Sequence, residues 1–146
     1  MYQFIVVIFF SILFSLNVKA DDLKILHKIE FNQKASKKLI LSLLSKIPYY
    51  NDDIPQTAYY EKFDLNDDKL KEYFLYINEQ GWCGAGNCHI FILSKDVIST
   101  KLLIHVSSGA EIYVLHHKTN GYHDITFFPK TEVYRHIWHW NGKQYE

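Results

Sequence analysis

From Phe4 to Leu16 the side chains are large and apolar, interrupted only by Ser11 and Ser15, and polar positions take over at Asn17. A run of this length suits the apolar stretch of a secretory signal peptide and falls short of the roughly 20 residues that a spanning helix uses. The only positive charge ahead of it is the α-amino group, because Met1-Tyr2-Gln3 contains no Lys or Arg. Val18 and Ala20 offer small side chains to a peptidase. The expected organisation is therefore a signal peptide over residues 1–20 and one mature domain over 21–146, periplasmic or secreted, with no stable membrane anchor after cleavage.

Beyond Asp21 the pattern changes twice. Between Asn32 and Ile47, Leu39, Ile40, Leu43, Leu44 and Ile47 share one helical face while Lys34, Lys37, Lys38 and Ser45 lie on others. This spacing predicts an amphipathic helix, with Asn32 or Ser36 as its cap and Pro48 as its stop. Residues 49–60 show no period and read as an irregular connection. From Glu72 onward short β-branched and aromatic runs alternate with turn residues: Tyr73 to Ile77, His89 to Leu93, Leu102 to Val106, Glu111 to Leu115, Asp124 to Phe128 and Glu132 to Trp140. Asn141-Gly142 then folds the last run back onto Lys143 to Glu146. The predicted class is α+β: an N-terminal amphipathic helix packed on a curved antiparallel meander of about six to seven strands.

Charge narrows the partners. The chain holds 16 basic and 16 acidic side chains, so no field for a polyanion is expected and nucleic acid is excluded as a partner. The two cysteines, Cys83 and Cys88, sit in Gly81-Trp82-Cys83-Gly84-Ala85-Gly86-Asn87-Cys88. An exported chain meets oxidants, so a disulfide between them is expected. Gly84, Gly86 and Asn87 are the positions that can take the positive φ angles of a tight loop. A loop this short gains only about 2 kcal/mol from closure, so the bond is expected to fix the loop's shape more than to hold the domain together. Gln80 to Gly84 echoes the approach to the nucleophile of papain-like proteases, but Gly86 stands where that nucleophile would be, and a disulfide removes the thiolate. No catalytic residue is assigned.

Two other groups carry candidate chemistry. Asp64, Asn66 and Asp68 place oxygens at alternate positions, with Glu72 following, as calcium loops do. Lys69 stands where such loops use Gly, and a lysine side chain resists positive φ. The alternative is a polar turn closed by its own side chains. His116, His117, His123, His136 and His139 gather in the last third, although residues three apart on a strand, such as His136 and His139, face opposite sides. Trp138, Trp140, Tyr134, Tyr145 and Phe127 suit core and cross-strand packing, and an exposed face of Tyr and Trp would suit a protein or glycan.

Taken in order, Asp64 to Asp68, Cys83 to Cys88, Asn120-Gly121-Tyr122-His123-Asp124 and Trp140-Asn141-Gly142-Lys143-Gln144-Tyr145 resemble a group of small exported bacterial proteins with no assigned activity. That group shares a D-x-N-x-D loop, a C-G-x-G-x-C hairpin, an N-G-aromatic-x-D turn and a terminal W-[ND]-G-x-x-Y hairpin. The resemblance spans about two thirds of the mature chain and implies a periplasmic or secreted α+β domain, with no catalytic residues to carry over. The functional expectation is a non-enzymatic binding protein, an inhibitor or immunity protein directed at a cell-envelope enzyme. Its contact residues would be Trp82, Gly84, Ala85, Gly86 and Asn87. The alternatives are a small secreted hydrolase using His123 and Asp124, and a metal-binding protein built on the C-terminal histidines.

Overall fold

The computed structural model describes residues 24–47, 54–109, 111–128 and 136–146. The expected signal peptide, residues 49–53 of the irregular connection, and Glu132 to Arg135 of the last predicted run lie outside these residues. In chain order the elements are β1 (Ile25–Lys28), β2 (Gln33–Lys34), α1 (Lys37–Leu44), β3 (Tyr59–Phe63), β4 (Glu72–Ile77) and β5 (Cys83–Gly84). They continue with β6 (Asn87–Lys95), β7 (Thr100–Ser108), β8 (Glu111–Thr119), β9 (Tyr122–Phe128) and β10 (His136–Trp138). Among the described residues no helix is long and apolar enough to cross a membrane.

The α+β expectation is overturned. Among the described residues strand accounts for 54% and helix for 7%, so the fold is mostly β, and its strands form two antiparallel sheets where a single meander was expected. One sheet has the order β1-β8-β9-β10. In the other, β2-β3-β4-β6 lie side by side, and β6 also pairs with β5 and with β7. The predicted sixteen-residue helix shrinks to the eight residues of α1. Its first third is diverted because Gln33 and Lys34 pair with Tyr60 and Tyr59, and Ala35 N–H donates to Ala58 carbonyl oxygen at 2.8 Å. A backbone already paired across a sheet cannot also close helical bonds. Ser36, one of the two caps offered by the sequence, is the one used: its Oγ accepts from Leu39 N–H at 3.2 Å.

Three layers explain the unbroken apolar runs of β4 and β6. Phe74, Ile90 and Ile92 point into a core shared with Ile112, Val114, Ile125, Trp140 and Tyr145 of the four-stranded side. Their neighbours Leu75, Ile77, Phe91 and Leu93 point the other way, into a second core closed by Ile40, Leu43 and Leu44 of α1. Side chains alternate across a strand, so a strand buried on both faces must be apolar at every position. α1 therefore matters as the lid on the outer face of the six-stranded sheet, not as half of the fold.

Candidate functional site

The cysteines are joined. Cys83 and Cys88 face each other across the β5–β6 ladder with Cα atoms 4.1 Å apart, and the disulfide closes over Gly84 to Asn87. Gly84 pairs with Asn87, leaving Ala85 and Gly86 as the two turn residues at φ 50° and 82°. Positive φ at both central positions is the type I′ arrangement, whose twist matches that of the flanking strands. The positive angles thus fall at Ala85 and Gly86, where Gly84 and Asn87 had been expected to share them. An alanine in this region pays a Cβ clash that asparagine tolerates better, so Ala85→Asn is expected to stabilise the domain by about 1 kcal/mol in chemical denaturation.

Gly84, Ala85, Gly86 and Asn87 are all exposed, yet the loop is tied at its base. Asn87 Oδ1 accepts from Gly109 N–H at 2.9 Å, and a Cβ on Gly109 would stand 2.7 Å from the Gly86 carbonyl oxygen. Only glycine allows the two loops to approach this closely. Beside the loop runs a row of rings. Trp82 meets His89 edge to face at 5.6 Å, His89 stacks on His105 at 4.9 Å, and His105 lies parallel to Phe91 at 4.4 Å. His89 Nδ1 and His105 Nε2 are 2.7 Å apart, so one of these nitrogens carries the hydrogen and the other accepts it. Burial, and then the neighbouring His89, hold His105 below the usual imidazole range.

The Asp64 to Glu72 segment closes on itself through its own oxygens. Asp64 accepts from Asn66 N–H at 3.3 Å and from Lys69 N–H at 2.8 Å. Asn66 Oδ1 accepts from Asp68 N–H at 3.1 Å, and Asp68 Oδ1 from Leu70 N–H at 2.6 Å. Lys69 adopts φ 73° and Asp67 φ 61°, so the lysine takes the left-handed conformation it was expected to resist, held by the Asp64 bond. Glu72 is buried, at 2% exposure, and its Oε2 accepts from Leu65 N–H at 2.8 Å. Burial pushes its carboxyl up to about 7, with Asp68 and Asp64 adding to the rise. Among the described residues no group of three or more His, Cys, Asp or Glu is arranged to hold a metal ion.

A further cluster was not legible as such in the sequence. Asp124, 1% exposed, brings its Oδ2 within 2.6 Å of His117 Nδ1 and 2.9 Å of His139 Nδ1. His139 Nδ1 also lies 3.2 Å from Thr119 Oγ1. Asp124 Oδ1 is the one buried side-chain atom among the described residues without a hydrogen-bond partner. His123, adjacent to Asp124 in sequence, is turned to the opposite face: its Nδ1 donates to Leu115 carbonyl oxygen at 2.7 Å, and its Nε2 lies 3.7 Å from Asp67. Of the five C-terminal histidines, His117 and His139 meet at one carboxylate, while His136 sits on β10 against Trp138 at 4.8 Å. The register irregularity of the β8–β9 ladder between Val114 and Lys118 falls where His117 departs from regular pairing, and period-2 counting gives no warning of it.

The predicted aromatic cluster divides. Trp140 and Tyr145 are buried against Tyr122, and the Tyr145 hydroxyl donates to His123 carbonyl oxygen at 2.7 Å. Phe127 is buried beside Trp138, while Tyr134 lies outside the described residues. No protein-family model, curated protein or solved structure matches this chain.

Proposed function

We propose that the domain is a non-enzymatic binding protein of the periplasm or exterior that presents its disulfide hairpin to a protein partner in the cell envelope, as an inhibitor or immunity protein does. The observation that carries this reading is a loop both exposed and over-determined. Gly84 to Asn87 face solvent, while the disulfide, the type I′ turn and the Asn87–Gly109 bond hold one backbone shape. A loop ordered before binding loses little entropy on docking, and contact energy then appears as affinity. Trp82, half-buried beside His89, supplies the aromatic anchor that such interfaces favour.

Trp82→Ala combined with Asn87→Ala is expected to weaken binding to that partner by at least about a hundredfold, read by calorimetry on protein shown to be folded by circular dichroism. Unchanged affinity would remove the hairpin from the interface.

A second reading rests on Asp124. One buried carboxylate oxygen lies within hydrogen-bond distance of the Nδ1 atoms of two imidazoles and so fixes the orientation of both rings. That is how acid–base catalysts are oriented, and it moves the hydrolase alternative from His123 to His117 and His139. Hydrolysis of peptide or peptidoglycan substrates that disappears in both His117→Ala and His139→Ala, and survives in His123→Ala, would favour it over the binding reading.

A further inference from the structure

The turn joining β6 to β7 carries two adjacent apolar side chains in full contact with solvent, Val97 at 101% and Ile98 at 91% exposure. Solvated turns are ordinarily built from polar residues. Here the turn's one acid is directed back into it: Asp96 Oδ1 accepts from Ile98 N–H at 2.8 Å and Ser99 N–H at 2.6 Å, and its Oδ2 accepts from Ser99 Oγ at 2.9 Å. The carboxylate is thereby consumed in shaping the turn, and the apolar pair is left as its outward face.

Behind that face, between the turn and the C-terminal end of α1, lies a recess of about 190 Å³ lined by Ser42, Ser45, Lys46 and Lys95 together with the turn itself. Lys95 Nζ donates to Ser42 Oγ at 2.8 Å, which holds its ammonium at the recess. Among the described residues no carboxylate pairs with Lys46 or Lys95. α1 contains no acid, and its exposed Leu41 stands next to Ser42 of the recess. A protein with 16 basic and 16 acidic side chains thus places Lys46, Lys95, Val97 and Ile98 together at one end.

An apolar tip of two residues is far smaller than a stable protein–protein interface. It does suit a surface that deforms around it, offers hydrocarbon beneath a polar layer and carries negative charge. We infer that this end of the domain binds an anionic phospholipid surface, with Val97 and Ile98 entering the acyl boundary and Lys46 and Lys95 meeting headgroup phosphates. The disulfide hairpin lies at the opposite end of β6, eight residues or roughly 26 Å away at strand rise. A domain seated by the β6–β7 turn would hold that hairpin clear of the membrane.

The test is sedimentation of the exported form beginning at Asp21, which contains every described residue, with vesicles of equal parts phosphatidylglycerol and phosphatidylcholine or of phosphatidylcholine alone. Binding to the anionic vesicles is expected to be at least about tenfold tighter than to the neutral ones and to weaken with salt. Val97→Ser with Ile98→Ser, at positions that touch no core, is expected to lower it by at least about tenfold. Lys46→Ala is expected to lower it by about fivefold. Absence of binding to anionic vesicles at low salt overturns the inference, as does binding that the Val97/Ile98 double variant leaves unchanged. Displacement from vesicles by inorganic phosphate at matched ionic strength, with no dependence on Val97 and Ile98, would likewise overturn it and leave a phosphate site in its place.

Discussion

Phe91→Ala is expected to destabilise the domain by about 3–5 kcal/mol, measured as a shift in denaturant midpoint at unchanged slope. Phe91 is fully buried in the core between the six-stranded sheet and α1, among Leu43, Leu75 and Leu93. Its ring also lies parallel to His105, with centroids 4.4 Å apart, so truncation opens a void in the core and removes the platform of the ring row beside the disulfide loop. Phe91→Leu keeps most of the volume and should cost well under half as much. If the alanine variant lost less than about 1 kcal/mol, the β6 register that buries this residue would be wrong.

The second large effect concerns pH. Glu72 is an acid near 4.5 in the unfolded chain, and burial raises it to about 7 in the fold. A carboxyl whose folded value is raised binds its proton more tightly in the native state, so protonation of the native state adds stability as pH falls. Its contribution is fully present below about pH 4.5 and lost as pH rises through about 7. The full difference is roughly 3 kcal/mol, from about 1.4 kcal/mol for each unit of separation. Denaturation in chelator-containing buffer should show stability decreasing between pH 5 and pH 8, and Glu72→Gln, neutral throughout, should abolish that trend. His105 contributes with the opposite sign. Its folded value lies below the ordinary 6.5, so its stability contribution is present above that pH and lost as pH falls through the folded value. In the Glu72→Gln variant the remaining slope is therefore expected to reverse. A Glu72→Gln variant with the same pH profile as the parent between pH 5 and 8 would contradict the burial of an unneutralised carboxyl at this position.

The sequence carried the strands that alternate in polarity or run apolar, and these were found at β4, β6, β7, β8 and β9. It carried the disulfide, through two cysteines separated by glycines, and the Asn120-Gly121 turn, whose residues take φ 49° and 88°. It did not carry β1, β2 or β3. Ile25 to Lys28 and Gln33-Lys34 are too short to show a period, and Tyr59 to Phe63 has three aromatic residues in five but no alternation of apolar and polar positions; each is placed by its pairing with a neighbouring strand. The helix was overextended for the same reason: Leu and Ile spacing records a buried face, but it does not record that Gln33 and Lys34 are claimed by β3. Nor does periodicity say which strands share a sheet, since β7 and β8 are neighbours in sequence and lie in different sheets. At the candidate sites the limit was again pairing. Asp124 and His123 are adjacent in sequence and face apart, whereas Asp124 and His139 are fifteen positions apart and meet at 2.9 Å.

Affinity capture from the native cell envelope decides whether the disulfide hairpin is a binding surface. The oxidised domain is immobilised beside a Cys83→Ser/Cys88→Ser variant, and captured proteins are identified and quantified by mass spectrometry. Removing the bond should cost the fold only about 2 kcal/mol, so the variant remains a folded control. One stoichiometric partner is expected on the oxidised domain and is expected to be lost from the variant. Capture of the same partner equally by both forms, or of none by either, would contradict that expectation.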